Sequence, residues 1–338
     1  MSFATQISRA AERAPLPDTL LRFGISRLVG RTNAQLAPGR TGAFADEMAL
    51  HAIAEHTQAA NRQHYELPPE FFTNCLGPRR KYSCCLFEDG DTLAAAELRA
   101  LQETVAHAQL HDGQRILELG CGWGSLTLYM ATRFPGAVIT AVSNSAPQRL
   151  FIEGEARRLG LGNIRVLTAD MNDFNIDETF DRIVSVEMFE HMANWRSLLT
   201  SVRYWLAPGG KLFLHVFSHA SQPYRFEVND EADWIAQYFF TGGIMPSHDL
   251  IHEFDDLFRV ERGWRWNGKH YEQTALGWLE NYDANQAAIR PILNETYGVD
   301  AKLWQRRWRL FFLATAGLFG HDNGEAWGVS HYLLQPCS

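Results

Sequence analysis

From residue 115 the sequence runs Arg115-Ile116-Leu117-Glu118-Leu119, then Gly120-Cys121-Gly122-Trp123-Gly124, then a helix-forming stretch over residues 125–133. A short apolar run closed by glycines reads as a buried strand that turns sharply into a helix. Glycines at such a turn let the backbone bend tightly and approach a ligand closely. The spacing is G-x-G-x-G and not the G-x-G-x-x-G of dinucleotide folds. With Glu118 just ahead of it, the loop suits a cofactor that carries an amino group. A carboxylate holds an ammonium, and no phosphate cradle is required.

The surrounding pattern places this turn in an α/β protein. Residues 137–142 form a second β-branched run, followed by a helical stretch to Leu159. Strands are expected over 163–168 and 180–186, a helix over 194–206, breakers at Pro208-Gly209-Gly210, and a fifth strand over 211–216. Strand and helix alternating at this spacing predict a parallel sheet wrapped by helices on both faces. The alternation stops after Phe217. Residues 217–257 read as an inserted lid, 274–297 and 301–319 as helices, and 329–334 as a last strand. Residues 1–60 read as a helical N-terminal cap, broken at Pro15, Pro17 and Pro38-Gly39, ahead of a catalytic domain over 61–338.

Composition excludes several classes. Ten Trp and twenty-one Phe do not suit a solvated coil. No apolar run reaches the roughly 18 residues of a membrane span, and charge near the N-terminus leaves no clean signal-peptide core. Cys75, Cys84, Cys85, Cys121 and Cys337 contain no CxxC pair, which points to reduced thiols in a cytoplasm and to no metal site. The net charge of -8 argues against a nucleic-acid partner. It is uneven. Residues 1–40 hold six arginines (Arg9, Arg13, Arg22, Arg27, Arg31, Arg40) against Glu12 and Asp18, a net +4, so the remainder carries -12. The arm is read as a helical cap with a solvated arginine face; the alternatives are a peripheral contact with anionic phospholipid or an acidic partner, and an organellar transit peptide.

The motif ILELGCGWG resembles the first motif of class I S-adenosylmethionine-dependent methyltransferases. That resemblance implies a Rossmann-like seven-stranded sheet whose last strand is antiparallel. It also implies that Gly120, Gly122 and Gly124 line the methionine part of the cofactor, with Glu118 beside them. Many members carry an acid at the end of the second strand for the ribose hydroxyls. This chain has Ser143 and Asn144 there, with Gln148 following, and neutral polar groups also bind hydroxyls. Asp170 matches the position that meets the adenine, with Met171 beside it. Tyr82 and Ser83 complete the expected cofactor contacts.

Two segments, KYSCCLF (residues 81–87) and VEMFEHM (186–192), are similar to those of a narrower group. It contains the cyclopropane fatty acid synthases, mycolic acid methyltransferases and coclaurine-type N-methyltransferases. The likeness runs from about Tyr65 to the C-terminus. In the cyclopropane synthases a bicarbonate ion acts as base, and the residues that hold it match Cys84, Glu190, His215 and Tyr271. Glu187 stands where those synthases often have glycine. In the coclaurine-type branch the resemblance implies that Glu187, Glu190 and His191 contact or deprotonate an amine. Two acids in one pocket suit a cationic amine, and Trp234, Tyr238, Phe239 and Phe240 could cage an ammonium group or wall off an acyl chain.

The sequence therefore favours methyl transfer from S-adenosylmethionine to a small amine. The alternative is C-methylation of an unsaturated acyl chain with bound bicarbonate. From another class, a non-catalytic cofactor-binding protein is opposed by the intact glycine loop and the Glu190-His191 pair. A nucleic-acid methyltransferase is opposed by the acidic body. The sequence sets no oligomeric state.

Overall fold

The computed structural model describes residues 10, 12, 14, 16–36, 38–55, 67–227 and 234–337, with the side chains of residues 234 and 235 left aside. Seven strands form one sheet: β1 (Arg115–Leu119), β2 (Val138–Ser143), β3 (Ile164–Thr168), β4 (Phe180–Val186), β5 (Leu206–His219), β8 (Phe258–Asn267) and β9 (Trp327–Pro336), in the order β3-β2-β1-β4-β5-β9-β8. Neighbours from β3 to β5 run parallel, and β9 is antiparallel to both β5 and β8. β1 is an interior strand flanked by β2 and β4, with Ile116, Leu117 and Leu119 fully buried, so its apolar run is continuous rather than alternating. A separate two-stranded ribbon joins β6 (Tyr224–Arg225) to β7 (Ile244–Met245) inside the expected lid.

Eleven helices among the described residues complete the frame. They are α1 (Asp18–Gln35), α2 (Thr41–Met48), α3 (Pro69–Cys75), α4 (Leu93–His107), α5 (Ser125–Arg133), α6 (Ala146–Leu159), α7 (Trp195–Trp205), α8 (Trp234–Tyr238), α9 (Lys269–Ala284), α10 (Gln286–Tyr297) and α11 (Ala301–Phe319). Local chemistry sets several of their ends. Thr92 caps α4, Ser145 caps α6 and Asn194 caps α7, each side chain accepting from a backbone N–H three residues on. α6 stops at Gly160, which takes the left-handed conformation. None of the described helices is long and apolar enough to cross a membrane.

Two expectations need correction, and some elements escaped the sequence pattern. The fifth strand begins at Leu206 and includes the Pro208-Gly209-Gly210 segment, with a register break against β4; it runs on to His219, past Val216. The stretch 274–297 is two helices, α9 and α10, broken at Asn285. The sequence pattern missed α4. It also missed β8, because only Phe258 and Trp266 are buried there, while Arg259, Glu261, Arg262 and Arg265 keep the edge polar.

The N-terminal helix is a wall of the molecule. Leu21, Ile25 and Val29 of α1 share a core with Trp308, Phe312 and Phe319 of α11. The approach is close: a Cβ on Gly317 would lie 2.4 Å from Ile25 Cγ2. Arg309 ties the helices together, 2.7 Å from Asp18 and 2.9 Å from Asp283. The Arg309 hydrogen bond holds the Asp18 carboxyl below its ordinary range. Such part-exposed pairs contribute up to about 1 kcal/mol each, so the apolar seam dominates. Arg22, Arg27, Arg31 and Arg40 are exposed, as a solvated face requires; Arg9 and Arg13 lie outside the described residues. So do Tyr65 and the expected domain boundary near residue 60.

Candidate active site

The glycine loop closes one end of a cavity of about 490 Å³ at the carboxyl edge of β1, β2 and β4, where ligands bind in open α/β sheets. Gly120 has φ +80°, and a Cβ on it would lie 2.6 Å from Met188 Cβ, so no side chain fits between this loop and the segment after β4. Gly122 faces open space in the cavity. Gly124 departs from expectation: it abuts Ile152 behind the loop and does not line the cavity. The other expected cofactor residues, Tyr82, Ser83, Glu118, Gly120, Gly122, Ser143, Asn144, Gln148, Asp170 and Met171, all line it.

Their polar groups match an adenosyl amino acid. Glu118 is buried beside the loop and accepts a hydrogen bond from Thr127 Oγ1 at 2.5 Å. Burial pushes its carboxyl up to about 8. A cation placed there would restore the ionised form. Ser143 Oγ donates to Gln148 Oε1 at 2.6 Å. Gln148 Nε2 and Ser125 Oγ are buried on the cavity wall without a hydrogen-bond partner among the described residues, as expected of groups that await ligand hydroxyls. Asp170 Oδ1 accepts from the Asn172 backbone N–H and side-chain amide, both at 2.9 Å, which fixes its loop. Asn172 also exchanges two 3.0 Å bonds with Ala54, tying that loop to the N-terminal segment.

The acid and histidine cluster sits past the end of β4. Glu187 has φ +49°, a conformation that costs a non-glycine residue of order 1–3 kcal/mol. Its N–H bonds the His215 carbonyl at 2.8 Å, and its side chain is thereby turned inward. Oε1 accepts from the Cys84 backbone N–H at 2.8 Å and lies 3.2 Å from His215 Nε2; Oε2 accepts from Tyr271 OH at 2.7 Å. Hydrogen bonds to a charged group are worth about 1.5–3 kcal/mol each, enough to offset the strain. Three of the residues expected to hold bicarbonate thus converge on a carboxylate that the chain itself supplies. The fourth, Glu190, turns away: Oε1 accepts from the Phe217 N–H at 2.5 Å, and the buried Oε2 has no partner among the described residues.

Burial raises both acids, and the causes separate them. For Glu187 burial is opposed by the Lys81 ammonium, the Cys84 N–H and Tyr271. For Glu190 burial is reinforced by the charge of Glu187, which drives it well above the carboxylate range. The opposing contacts favour Glu187 as the carboxylate that ionises first, with Glu190 held higher. His191 lines the cavity and stacks on Phe240, centroids 5.0 Å apart. Glu187 and Tyr271 also face the cavity, whereas Cys84, Glu190 and His215 stand behind its wall. Of the expected aromatic cage, Phe240 lines the cavity; Phe239 stacks on Phe311 and Tyr238 packs against Trp304, and the Trp234 side chain lies outside the described residues.

Ser125, Lys81 and α1 escaped the sequence as contributors to the site. Lys81 is buried and donates to Ser83 Oγ at 2.6 Å and to the Cys84 carbonyl at 2.5 Å. A lysine opening a run of small and aromatic residues is its one sequence signal. α1 places Ile25, Leu28 and Val29 on the cavity wall, which no motif announces.

Comparison with known proteins settles the family. A model of the mycolic acid cyclopropane synthetase family matches residues 53–327. The chain belongs to this family. It is 39% identical to (S)-coclaurine N-methyltransferase of Thalictrum flavum subsp. glaucum over 84% of this chain and 80% of that protein. It is 30% identical to cyclopropane-fatty-acyl-phospholipid synthase of Escherichia coli (strain K12) over 79% of this chain and 66% of that protein. A crystal structure of coclaurine N-methyltransferase, bound to N-methylheliamine and SAH, superposes with a TM-score of 0.94 at 34% identity, covering 99% of this chain and 100% of that one. This family member is an S-adenosylmethionine-dependent methyltransferase with the class I seven-stranded fold.

Proposed function

We propose that this methyltransferase methylates the nitrogen of a small basic amine that carries an aromatic ring. The observation that carries the reading is the placement of the Glu187 carboxylate on Cys84 N–H, Tyr271 OH and His215 Nε2. A base held there by the chain removes the need for a bound anion. The likeness to coclaurine N-methyltransferase supports the same acceptor class.

When bound, S-adenosylmethionine supplies an electrophilic methyl group. Glu118 holds the ammonium end of that molecule, and Gln148, Ser143 and Asp170 hold its ribose and base. Glu187 faces the acceptor and takes the proton from its ammonium form, which frees the nitrogen lone pair. Glu190, protonated, keeps a second negative charge out of the site. The stacked His191 and Phe240 orient the amine, and aromatic walls from Tyr224, Phe226 and Phe319 exclude water. The four buried free thiols suit a reducing compartment such as the cytoplasm.

Cys84, His215 and Tyr271 also match residues that hold a bicarbonate ion in the cyclopropane synthases, and the bacterial synthase is a relative, so acyl-chain methylation is the second reading. Labelled S-adenosylmethionine is offered with a pool of cyclic secondary and tertiary amines that carry an aromatic ring, and separately with unsaturated phospholipid vesicles, each with and without bicarbonate. Methylated amine, independent of bicarbonate, is the expected product by mass. A cyclopropanated or methylated acyl chain that depends on bicarbonate would overturn the proposal.

A further inference from the structure

Behind Glu187 runs a chain of three imidazoles. His215 Nε2 lies 3.2 Å from Glu187 Oε1. His215 Nδ1 is 2.8 Å from His331 Nε2, and His331 Nδ1 is 2.9 Å from His107 Nδ1. His107 Nε2 is 3.2 Å from Glu103 Oε2, on the part-exposed end of α4. The sheet builds this line. Val186, His215, His331 and Trp264 are register partners across β4, β5, β9 and β8. His107 then stacks on Trp264 from α4, centroids 3.9 Å apart. His215 and His331 are completely buried, so neither ring can turn to water for a partner.

Four links need four protons, one in each, and three neutral imidazoles bring three. When Glu187 is ionised, one link therefore lacks its proton. A missing proton in a buried link sets two lone pairs against each other, whereas at a wet end a water molecule fills the gap. Glu103 and His107 form the wet end. The neutral rings must then all point one way: His107 Nδ1–H to His331, His331 Nε2–H to His215, His215 Nε2–H to Glu187. The opposite polarity would set the lone pair of His215 against the carboxylate.

We propose that His331 and His107 are positioning residues that aim the Nε2–H of His215 at the Glu187 carboxylate, with the proton deficit of the chain left at the solvent end beside Glu103. The groups facing the chain fit neutral rings. Burial lowers all three histidines, and the Lys81 ammonium opposes a second positive charge on His215 and His331. Arg262 on β8 lowers His107 further, while Glu103 on α4 pulls the other way. Among the described residues Glu103 is the carboxylate at the outer link, and it favours the wrong polarity by inviting a proton onto His107 Nε2.

The inference rests on Glu187 as the acceptor's base, and it has a readout that needs no turnover. In uniformly labelled protein above the acid limb of activity, nitrogen NMR should find His215 and His331 as Nε2–H and His107 as Nδ1–H tautomers. Nδ1–H at His331 would overturn the proposal whatever the substrate is. The pH profile of kcat/KM gives the second arm, at high salt to screen plain charge effects. Glu103→Gln replaces an acceptor by an amide that can donate to His107 Nε2, and should lower the acid limb by about half a unit. His107→Phe keeps the stack on Trp264 but removes the inward donor, and should raise the limb by about one unit. Cofactor affinity should be unchanged in both. Shifts of the same sign, no shift in either, or loss of cofactor affinity would each overturn it.

Discussion

The Tyr271 hydroxyl donates to Glu187 Oε2 across 2.7 Å, joining helix α9 to the loop after β4. Tyr271 is itself locked by a stack on Phe319, centroids 4.2 Å apart, so the hydroxyl is aimed before any substrate arrives. Tyr271→Phe keeps the stack and deletes the donor. Losing a hydrogen bond to a charged group costs about 1.5–3 kcal/mol, or one to two units of carboxylate pKa. The acid limb of kcat/KM should move up by that amount. An unmoved limb would place the ionising group elsewhere.

Glu187→Gly should empty the cradle formed by Cys84, His215 and Tyr271. Glycine accepts the φ of +49° at that position without strain, so the backbone is preserved. Turnover should fall by about 10²–10⁴-fold. Added bicarbonate or formate should restore part of it by filling the cradle. Rescue by neither anion would mean that the cradle does not present a base.

Combining Glu190→Gln with His191→Ala should slow turnover, because Gln keeps the neutral state of Glu190 while the His191 stack on Phe240 is lost, and cofactor binding should persist. Calorimetric titration with S-adenosylhomocysteine reads the second half of that statement. A weakened titration would move the pair into the cofactor site.

Cofactor affinity should depend on pH through Glu118. Its carboxyl is pushed up to about 8 by burial, and a bound ammonium favours the ionised form. Below pH 8 a proton must leave before the ammonium is paired, so affinity falls as pH drops from 8 toward 6.5. Glu118→Gln should bind more weakly and show no such slope. A slope that survives in that variant would assign it to another group.

α1 should matter to catalysis as well as to stability. Gly317→Val drives a side chain into Ile25, which lines the cavity, and overpacking of this kind costs about 1–3 kcal/mol. The melting temperature should fall and KM for the amine should rise, with little change in vesicle binding. An unchanged KM would make α1 a cover with no part in the site.

Much of this was legible in one dimension because the chemistry is local. The glycine loop, Glu118 and the strand pattern from β1 to β4 lie within about seventy consecutive residues, and each strand there carries a short run rich in apolar residues. β8 was silent because an edge strand with one wet face carries too few apolar residues to betray its period. Gly124 misled in a small way: the motif sets the turn, but only the packing against Ile152 decides which glycines see the cavity.

The residues Cys84, Glu187, Glu190, His191, His215 and Tyr271 were all named by motif, yet their roles were not. Whether Glu187 or a bound anion sits among Cys84, His215 and Tyr271 depends on a backbone reversal after β4 and on contacts spanning 103, 28 and 84 residues. The amino-acid sequence by itself determined the α/β class, the methyl-donor loop and the cast of site residues, because those follow from hydrophobic period and short-range spacing. Only the tertiary structure decided that the carboxylate of Glu187 fills the anion cradle and that His331 and His107 stand in line behind it, because hydrogen bonds between distant strands exist only once the sheet has closed.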